Sequence, residues 1–363
     1  MELVRRIGLG LAAPVLAFVI AAVLSTVLLV STGADAGKFW DTLLTAPENR
    51  NLVNIINGAA VLYLSGIAAA VGFRMGLFNI GVEGQYRIGS FAAALVAGEA
   101  WLPGKANTLL AVLVAMVAGA LWAGIAGLLR VTRGVSEVIA TIMLNAVAGL
   151  LVGYLVKKVG ISTGVSTSTK PIPEDGWVGG FQIFHDVTAE VRGLALLAPI
   201  AGIAFYILVN RTTFGFNLRA TGQSQSAAVA SGVDVKRMVV ISMLLSGAVA
   251  GLIGMPTLFG DAHNYGSSFQ VGLGFTGIAV ALLGRNSPVG IAFAALIFAF
   301  LDDRSGLLNI LAGISPEIIA VTQGLIVLAV VIAYEIVRRY RVNLEQAAVA
   351  RQVLDSTHEE ARA

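Results

Sequence analysis

Long apolar segments recur from one end of this chain to the other, and they constrain the fold more than any other feature. One crossing of a bilayer takes about 20 apolar residues, fewer where a helix is broken. Only 12% of the 363 residues are charged, against roughly 25% in soluble domains. The sequence therefore predicts an all-α polytopic membrane protein with about ten transmembrane helices. The predicted spans are approximately 8–30, 52–73, 85–102, 108–129, 135–156, 194–210, 237–258, 269–284, 288–302 and 316–337.

The first apolar segment has the features of a secretory signal but is too long for one. Arg5 and Arg6 precede it, and Ala34-Asp35-Ala36 resembles a cleavage site. The apolar run extends from Ile7 to Val30, whereas a signal core has roughly 7–15 residues. We therefore expect an uncleaved first helix.

The basic residues give the orientation of the predicted helices. With both termini in the cytoplasm, sixteen of the 24 lysines and arginines lie on the cytoplasmic side and eight on the other. Membrane proteins carry an excess of basic residues in their cytoplasmic loops. The sequence therefore predicts cytoplasmic N and C termini, and the net charge of +3 reflects topology and not nucleic-acid binding.

Polar segments divide the chain further. We predict a membrane domain over residues 1–337 and a charged cytoplasmic tail over 338–363. Residues 158–193 form an extracytoplasmic loop whose run from Phe181 to Phe184 is strand-like; it either contacts a partner protein or is a passive connection. Residues 31–51 have the spacing of an interfacial amphipathic turn, with the apolar side chains of Phe39, Trp40, Leu43 and Leu44.

A second polar segment, residues 212–236, is predicted to lie on the cytoplasmic side. Thr221 or Ser224 can cap a short helix there, and Gly232 is placed to end it. The helix carries the small residues Ala227 and Ala228. Such a helix either enters a groove of another protein or simply connects two spans.

Four segments resemble ATP-binding-cassette importer permeases of the ribose/nucleoside (simple sugar) branch. The run Gly215–Gly222, GFNLRATG, followed by Ala-Ala and a glycine, is similar to their coupling-helix region, although Ser226 stands where a glutamate is usual. The other three are FNIGVEGQ at 78–85, EVIATIMLN at 137–145 and GFTGIAVALLGRNSPVG at 274–290. The first of these three is the most specific to nucleoside-type permeases.

The resemblance implies a permease subunit of the cell inner (plasma) membrane that moves nucleosides or a related sugar-type solute by alternating access. It implies three protein partners: an ATP-binding-cassette ATPase subunit, an extracytoplasmic solute-binding protein and a second permease, either a copy of this chain or a paralogue, with a heterodimer favoured. The residues that it places against the ATPase are Asn217, Arg219, Ala220, Gly222, Ala227, Ala228 and Gly232.

Several nucleotide and metal motifs are missing or misleading. No G-x-x-x-x-G-K-[ST] motif occurs, so the chain is not expected to have an ATP-binding site of its own. Gly272, Gly274 and Gly277 match G-x-G-x-x-G inside a predicted span, where close helix packing is the better interpretation. Gly247 and Gly251 form a GxxxG that predicts helix contact. The chain has no cysteine and three scattered histidines, so we expect no cofactor and no metal.

Polar residues in predicted spans, or at the cytoplasmic entrance to the predicted span 85–102, are candidates for the solute path or its gate. Glu83 with Asn79 and Gln85 either lines the path or forms a structural lock with Arg74 or Arg87, because a charge within lipid is costly. Asn54, Asn57 and Asn145 bond either a solute or a neighbouring helix. The side chain of Glu137 either forms one polar face of its helix with Thr141 and Asn145, or neutralises the charge of Arg130 or Arg133. The rings of Phe78 and Phe275 either stack on a nucleobase of the solute or pack against other side chains.

Two other functions compete with the importer hypothesis. An ion- or proton-coupled secondary transporter needs ionisable residues at mid-membrane, and the acidic residues here lie mostly in loops or near span ends. A membrane-embedded enzyme needs clustered catalytic groups, and none is visible in the sequence.

Overall fold

A computed structural model describes residues 2–162, 164, 166–266 and 269–360. The described part is helical almost throughout, which confirms the predicted all-α class. Its α-helices are α1 Glu2–Ser31, α2 Ala36–Leu44, α3 Asn49–Arg74, α4 Val82–Glu99, α5 Gly104–Arg133, α6 Glu137–Val159, α7 Leu197–Arg211, α8 Thr213–Gln223, α9 Gln225–Ala230, α10 Val235–Gly251, α11 Met255–Thr257, α12 Leu273–Leu283, α13 Pro288–Ala312 and α14 Pro316–Glu360.

Six of the described helices are long and apolar enough to cross a membrane. Shorter apolar helices cover Val15–Ser31 and Leu273–Leu283. Each predicted span overlaps one of the helices given above. The six are Asn49–Arg74, Gly104–Arg133, Glu137–Val159, Gly193–Arg211, Val235–Ala262 and Pro316–Tyr340.

The chain divides into two compact units. One contains the described residues up to Thr45 and those from Arg304 onward; the other is Ala46–Asp303. In the second unit α3 is the most enclosed of the candidate spans, and α12, α10 and α7 pack on it. Helix α5 packs along α10 and α4. These contacts bury α3 and α4 in the middle of this unit.

The contact between α5 and α10 explains the GxxxG pattern. A Cβ atom at Gly247 would overlap the carbonyl of Gly119, and one at Gly251 would overlap the carbonyl of Ala115. Small residues allow helix backbones to approach closely where lipid surrounds them. The predicted helix contact is therefore confirmed, within this chain.

In the other unit, α1 packs along α14 and α2 has the predicted amphipathic character. Phe39 is fully buried and Leu44 is exposed. The indole Nε1 of Trp40 donates to Thr26 Oγ1 at 3.0 Å, and Asp35 caps the helix by accepting from the amide of Lys38 at 3.0 Å. The amphipathic turn predicted within residues 31–51 is thus a short helix.

The strand predicted at Phe181–Phe184 was wrong. Only Phe181 pairs, as an isolated bridge with Val191, because the chain turns back directly afterwards and Gln182 donates its side-chain amide to the carbonyl of Val187. The loop instead contains a two-residue antiparallel hairpin, β1 Ile161–Ser162 with β2 Thr167–Ser168. It also contains 3-10 turns at Glu174–Gly176 and Gly193–Leu196.

Residues 212–236 form two helices where the sequence predicted one. The missed helix is α8, whose N-cap Thr212 accepts from the amide of Gly215 at 3.0 Å. Ser224 caps α9 by accepting from Ala227 at 3.3 Å, as predicted, whereas Thr221 lies inside α8. Gly232 ends α9 with φ of +83°, a conformation that glycine adopts at little cost.

Candidate functional site

The polar segment 78–85 forms the end of the turn between α3 and α4 and the first turn of α4. Asn79 and Gln85 are both fully buried and pair through two amide hydrogen bonds of 3.1 Å. Asn79 also donates to Ser246 Oγ at 2.8 Å and accepts from the amide of Gly81 at 2.9 Å. Buried side-chain amides that have hydrogen-bond partners within the protein help to fix the local structure. These two side chains therefore shape the turn.

Glu83 has the densest set of contacts in this segment. Its side chain is buried, and Oε1 accepts from Arg87 Nε at 2.8 Å and from the amide of Gly272 at 2.9 Å. Its Oε2 accepts from the amide of Gly274 at 2.9 Å. The structure thus shows the lock with Arg87. Arg74 instead donates to the carbonyl of Asn286 at 3.0 Å.

The contacts of Glu83 join the N-termini of two helices, α4 and α12. A Cβ atom at Gly274 would overlap the backbone of Glu83, so the helices touch main chain to main chain. The carbonyl of Leu273 accepts from Ser65 Oγ at 2.9 Å, which fixes α12 on α3. A carboxylate at a helix N-terminus is stabilised by the free amides and the helix dipole. Gly272 and Gly274 thus serve close packing and carboxylate binding.

Asn145 sets the depth of this junction along α6. Its Oδ1 accepts from the amide of Gly84 at 2.8 Å, and its Nδ2 donates to the carbonyl of Ile80 at 2.9 Å. Asn145 follows Glu137 by eight residues, or about 12 Å along the helix. The amide of Phe78 lies at the Glu137 end, 3.4 Å from Oε1. The segment 78–85 therefore runs beside about two turns of α6, from Glu137 to Asn145.

Glu137 forms the predicted ion pair with Arg130. It is buried at the start of α6, and Thr141 donates to its main-chain carbonyl at 2.7 Å. Glu137 and Thr141 are both buried on the face that also carries Asn145. Because Asn145 bonds the backbone of Ile80 and Gly84, this face joins α6 to the turn before α4.

Asn57 and Asn54 have different environments. Asn57 is buried; it donates to the carbonyl of Glu190 at 3.0 Å and accepts from the amide of Arg192 at 2.9 Å. It therefore anchors the end of the 158–193 loop. Asn54 is exposed, and its amide lies 3.4 Å from Asp303 Oδ1.

Two aromatic candidates remain open to contact from outside the chain. Phe275 is 50% exposed and Phe78 39% exposed. Phe78 packs on Phe73 with ring centroids 4.9 Å apart. Together with Asn54, they are the members of the predicted set of path residues whose side chains are exposed.

The coupling segment rests on an apolar cluster. Leu218 of α8 is buried against Met75 and Leu77 in the turn after α3. The carbonyl of Gly222 lies 3.4 Å from the Cβ position of Gly76. Helix α8 therefore abuts the turn that leads to Glu83. The buried members of the cluster are Met75, Leu77, Ala126, Ala140, Leu218, Met238, Val239 and Met243.

The predicted coupling residues divide into inward and outward positions. Ala228 is buried, whereas Ala227 and Val229 are exposed. Arg219 donates to the carbonyl of Val209 at 2.8 Å and so closes the corner between α7 and α8. Asn217 and Ala220 are half-buried, and Gly222 and Gly232 are exposed. The outward surface is therefore formed by α9 and by exposed Phe216 of α8.

Two serines and an aspartate of the site were missed by sequence reasoning. Ser246 donates to the carbonyl of Ala68 at 2.6 Å and, like Ser65, is fully buried. Asp303 accepts from Asn51 at 2.8 Å and faces Asn54. Hydroxyls in the middle of apolar helices were the available signal for the serines.

The described residues contain no cluster of histidine and acidic side chains that could hold a metal ion. His263 stacks on Trp177 with ring centroids 3.8 Å apart, just beyond the span that ends at Ala262. Burial lowers the pKa of its imidazole. His263 is thus a packing residue.

Comparison with known proteins gives one family. The family described as branched-chain amino acid transport system / permease component matches residues 51–333. A guanosine ABC transporter permease protein of Bacillus subtilis is 37% identical over 75% of this chain and 78% of its own length.

Two further relatives cover more of the chain. A nucleoside ABC transporter permease protein of Lactococcus lactis is 32% identical over 88% of this chain and 90% of its own length. A glucose ABC transporter permease protein of Haloferax volcanii is 32% identical over 91% of this chain and 89% of its own length. Bacillus subtilis and Lactococcus lactis each have a second such permease that also matches.

Proposed function

Because the chain belongs to the family of branched-chain amino acid transport system permease components, we propose that it forms the solute path of an ATP-binding-cassette importer for nucleosides or a related sugar-type solute. It is a multi-pass integral membrane protein of the plasma membrane, and a transport component. The observation that carries the solute class is the identity, at 32–37%, to permeases named for guanosine, nucleosides and glucose.

The proposed topology has ten spans, with both termini in the cytoplasm. Four predicted spans, in α1, α4, α12 and α13, lie outside the six long apolar helices. Helices α4 and α12 begin at the deep junction of Glu83 and Gly274, which accounts for their short length. Broken helices of this kind are found at transport paths. Residues 1–337 then form the membrane domain, and 338–363 the cytoplasmic tail.

We propose three protein partners besides the surrounding lipid. An ATPase subunit supplies the energy on the cytoplasmic side, and a solute-binding protein delivers the solute to the other side, at the surface that includes the loop 158–193. A second permease completes the path. The two matching permeases in each of two organisms favour a paralogue over a second copy of this chain.

The proposed mechanism transmits movement from the ATPase to the buried junction. The exposed surface of α9 contacts the ATPase, and α8 carries the movement, because Leu218 packs on Met75 and Leu77. These residues belong to the turn between α3 and α4, which leads to Asn79 and then to Glu83 in the first turn of α4. Displacement of the turn then shifts α4, and Glu83 passes the shift to the N-terminus of α12, which carries exposed Phe275. The permease breaks no covalent bond.

The ion-coupled alternative is weaker for a specific reason. Glu83 is a deep carboxylate of the sort that coupling to an ion requires. However, both of its oxygens accept hydrogen bonds, from Arg87 and from two main-chain amides. Three donors thus occupy most of the roughly four acceptor positions of a carboxylate, which leaves little capacity for a transported ion.

Reconstitution tests the proposal. We expect uptake of guanosine or glucose into proteoliposomes only when this chain, its permease partner, the ATPase, the binding protein and ATP are all present. An ATPase variant that binds but does not hydrolyse ATP is the control and should abolish uptake. Uptake driven by an ion gradient through this chain alone would refute the importer function.

A further inference from the structure

Arg87 is the one residue of the deep junction whose charged group remains partly open. It lies one turn after Glu83 on α4, its Nε donates to Glu83 Oε1 at 2.8 Å, and 23% of its side chain is exposed. Within the described part of the chain, neither Nη1 nor Nη2 has a hydrogen-bond acceptor. The Nε of the guanidinium is therefore bonded to Glu83, whereas Nη1 and Nη2 can donate hydrogen bonds to another molecule.

At the depth where Arg87 lies, a guanidinium with unpaired N–H groups is costly in lipid. Arg87 precedes Glu99 by twelve residues, about 18 Å along α4, and Glu99 pairs with Lys170 in an exposed ion pair. The hydrocarbon core of a bilayer is about 30 Å thick. Arg87 thus lies near mid-membrane, where ionisable groups face a water-filled cavity or other protein groups and serve function.

The Nη1 group of Arg87 lies next to α6. A Cβ atom at Gly149 of α6 would lie 3.2 Å from Arg87 Nη1, which is a tight contact. Glycine at this position therefore lets the guanidinium lie close to the α6 backbone. A larger side chain at position 149 would thus displace the guanidinium.

We propose that Arg87 is a solute-binding residue whose Nη1 and Nη2 donate to two adjacent hydroxyl oxygens of the solute. This inference rests on the proposed function and names the chemical feature recognised. The fixed fork of a guanidinium suits two oxygens side by side. Sugars and ribonucleosides share vicinal hydroxyls, and the charge of Glu83 balances that of Arg87, which suits a neutral solute.

Glu83 is then a positioning residue. By holding Nε it fixes the plane of the guanidinium, and its own orientation is fixed by the amides of Gly272 and Gly274. Preorganised hydrogen bonding reduces the entropy lost when a ligand binds. The position of α12 therefore sets the direction of the Arg87 fork.

The first test compares Arg87→Lys with the wild type in the complete transporter. The substrates are guanosine with 2′,3′-dideoxyguanosine, and glucose with 2,4-dideoxyglucose; the second member of each pair has no two adjacent hydroxyls. Lysine keeps the ion pair with Glu83 but loses the fork. We expect the maximal uptake rate of the diol substrate to fall about tenfold, the size of a charge-assisted hydrogen bond, with less than a twofold change for the deoxy substrate. Equal losses for both members of a pair would overturn the proposal.

The second test leaves Arg87 and Glu83 intact. Gly149→Val places a side chain against Nη1 and so displaces the guanidinium, and Gly153→Val, one turn further along α6, is the matched control because nothing lies within 4 Å of its Cβ position. We expect only Gly149→Val to slow diol uptake about tenfold. Equal rates for the two valine variants would exclude the contact. A wild-type transporter that carries neither diol would instead contradict the proposed function.

Discussion

At the scale of single residues, the segment FNIGVEGQ shows how far polarity alone can be interpreted. Its polarity marks a special environment, and the spacing of Glu83 and Arg87 made their ion pair predictable. The two amides that also bind Glu83 were not predictable, because Gly272 and Gly274 lie about 190 residues away and a backbone donor has no side-chain signature. For the same reason, the path roles considered for Asn57 and Asn145 could not be separated from the backbone contacts that the structure shows.

Substitution of Glu83 tests its structural role. Glu83→Gln leaves Arg87 without its counter-charge and places an amide group against main-chain donors. Removing one partner of a buried ion pair destabilises by about 3–5 kcal/mol. We expect a clear fall in the thermal unfolding temperature of the purified complex. The control is Glu99→Gln, which removes an exposed pair and should cost at most about 1 kcal/mol. Similar losses in both variants would show that Glu83 is not a lock.

At the scale of elements, periodicity and caps predicted most helices, and local turns were predicted less well. The Ser224 cap and Gly232 located α9. Helix α8 was missed because its sequence, with Gly215, Asn217 and Gly222, has low intrinsic helix propensity. It forms because Leu218 packs into the apolar cluster, a tertiary contact. The GxxxG of α10 predicted a contact, but its partner α5 was visible only in the structure.

The coupling role of α9 is best tested at Val229. Ala228 is buried, so Ala228→Arg would disturb packing within this chain as well as any docking. Val229 is 60% exposed on the same helix, and we expect Val229→Arg to abolish co-purification of the ATPase while membrane insertion is retained. Lys236→Arg, an exposed substitution that keeps the charge, is the control. Undiminished co-purification of the Val229 variant would argue against docking through α9.

At the scale of the whole molecule, composition predicted the class, a polytopic helical membrane protein, but not the contacts inside it. The ten predicted apolar segments all correspond to helices. Their lengths were less predictable, because α4 and α12 begin where two N-termini meet and α10 continues through α11 and a π-helical turn to Ala262. Arg87 illustrates the limit: it falls within the predicted span 85–102 yet counts with the basic residues of the cytoplasmic side, and composition does not show that its side chain is partly exposed beside Glu83.

Reporter fusions test the predicted topology. With both termini in the cytoplasm, green fluorescent protein fused after Ala363 should fluoresce, and alkaline phosphatase fused at that position should be inactive. Alkaline phosphatase inserted after Gly179, in the loop 158–193, should be active. Phosphatase activity at the C-terminus would invert the orientation and move α8 and α9 to the other side of the membrane.

The junction of Glu83 with α12 also bears on biosynthesis. The amides of Gly272 and Gly274 are translated about 190 residues after Glu83, a delay of roughly 10–40 s at ordinary elongation rates. During that interval α4 must enter the membrane with its carboxylate lacking two of its final partners. Arg87, on the next turn of the same helix, is already present, so the nascent helix carries its own counter-ion through the translocon. The ion pair thus makes insertion of α4 independent of a helix that does not yet exist.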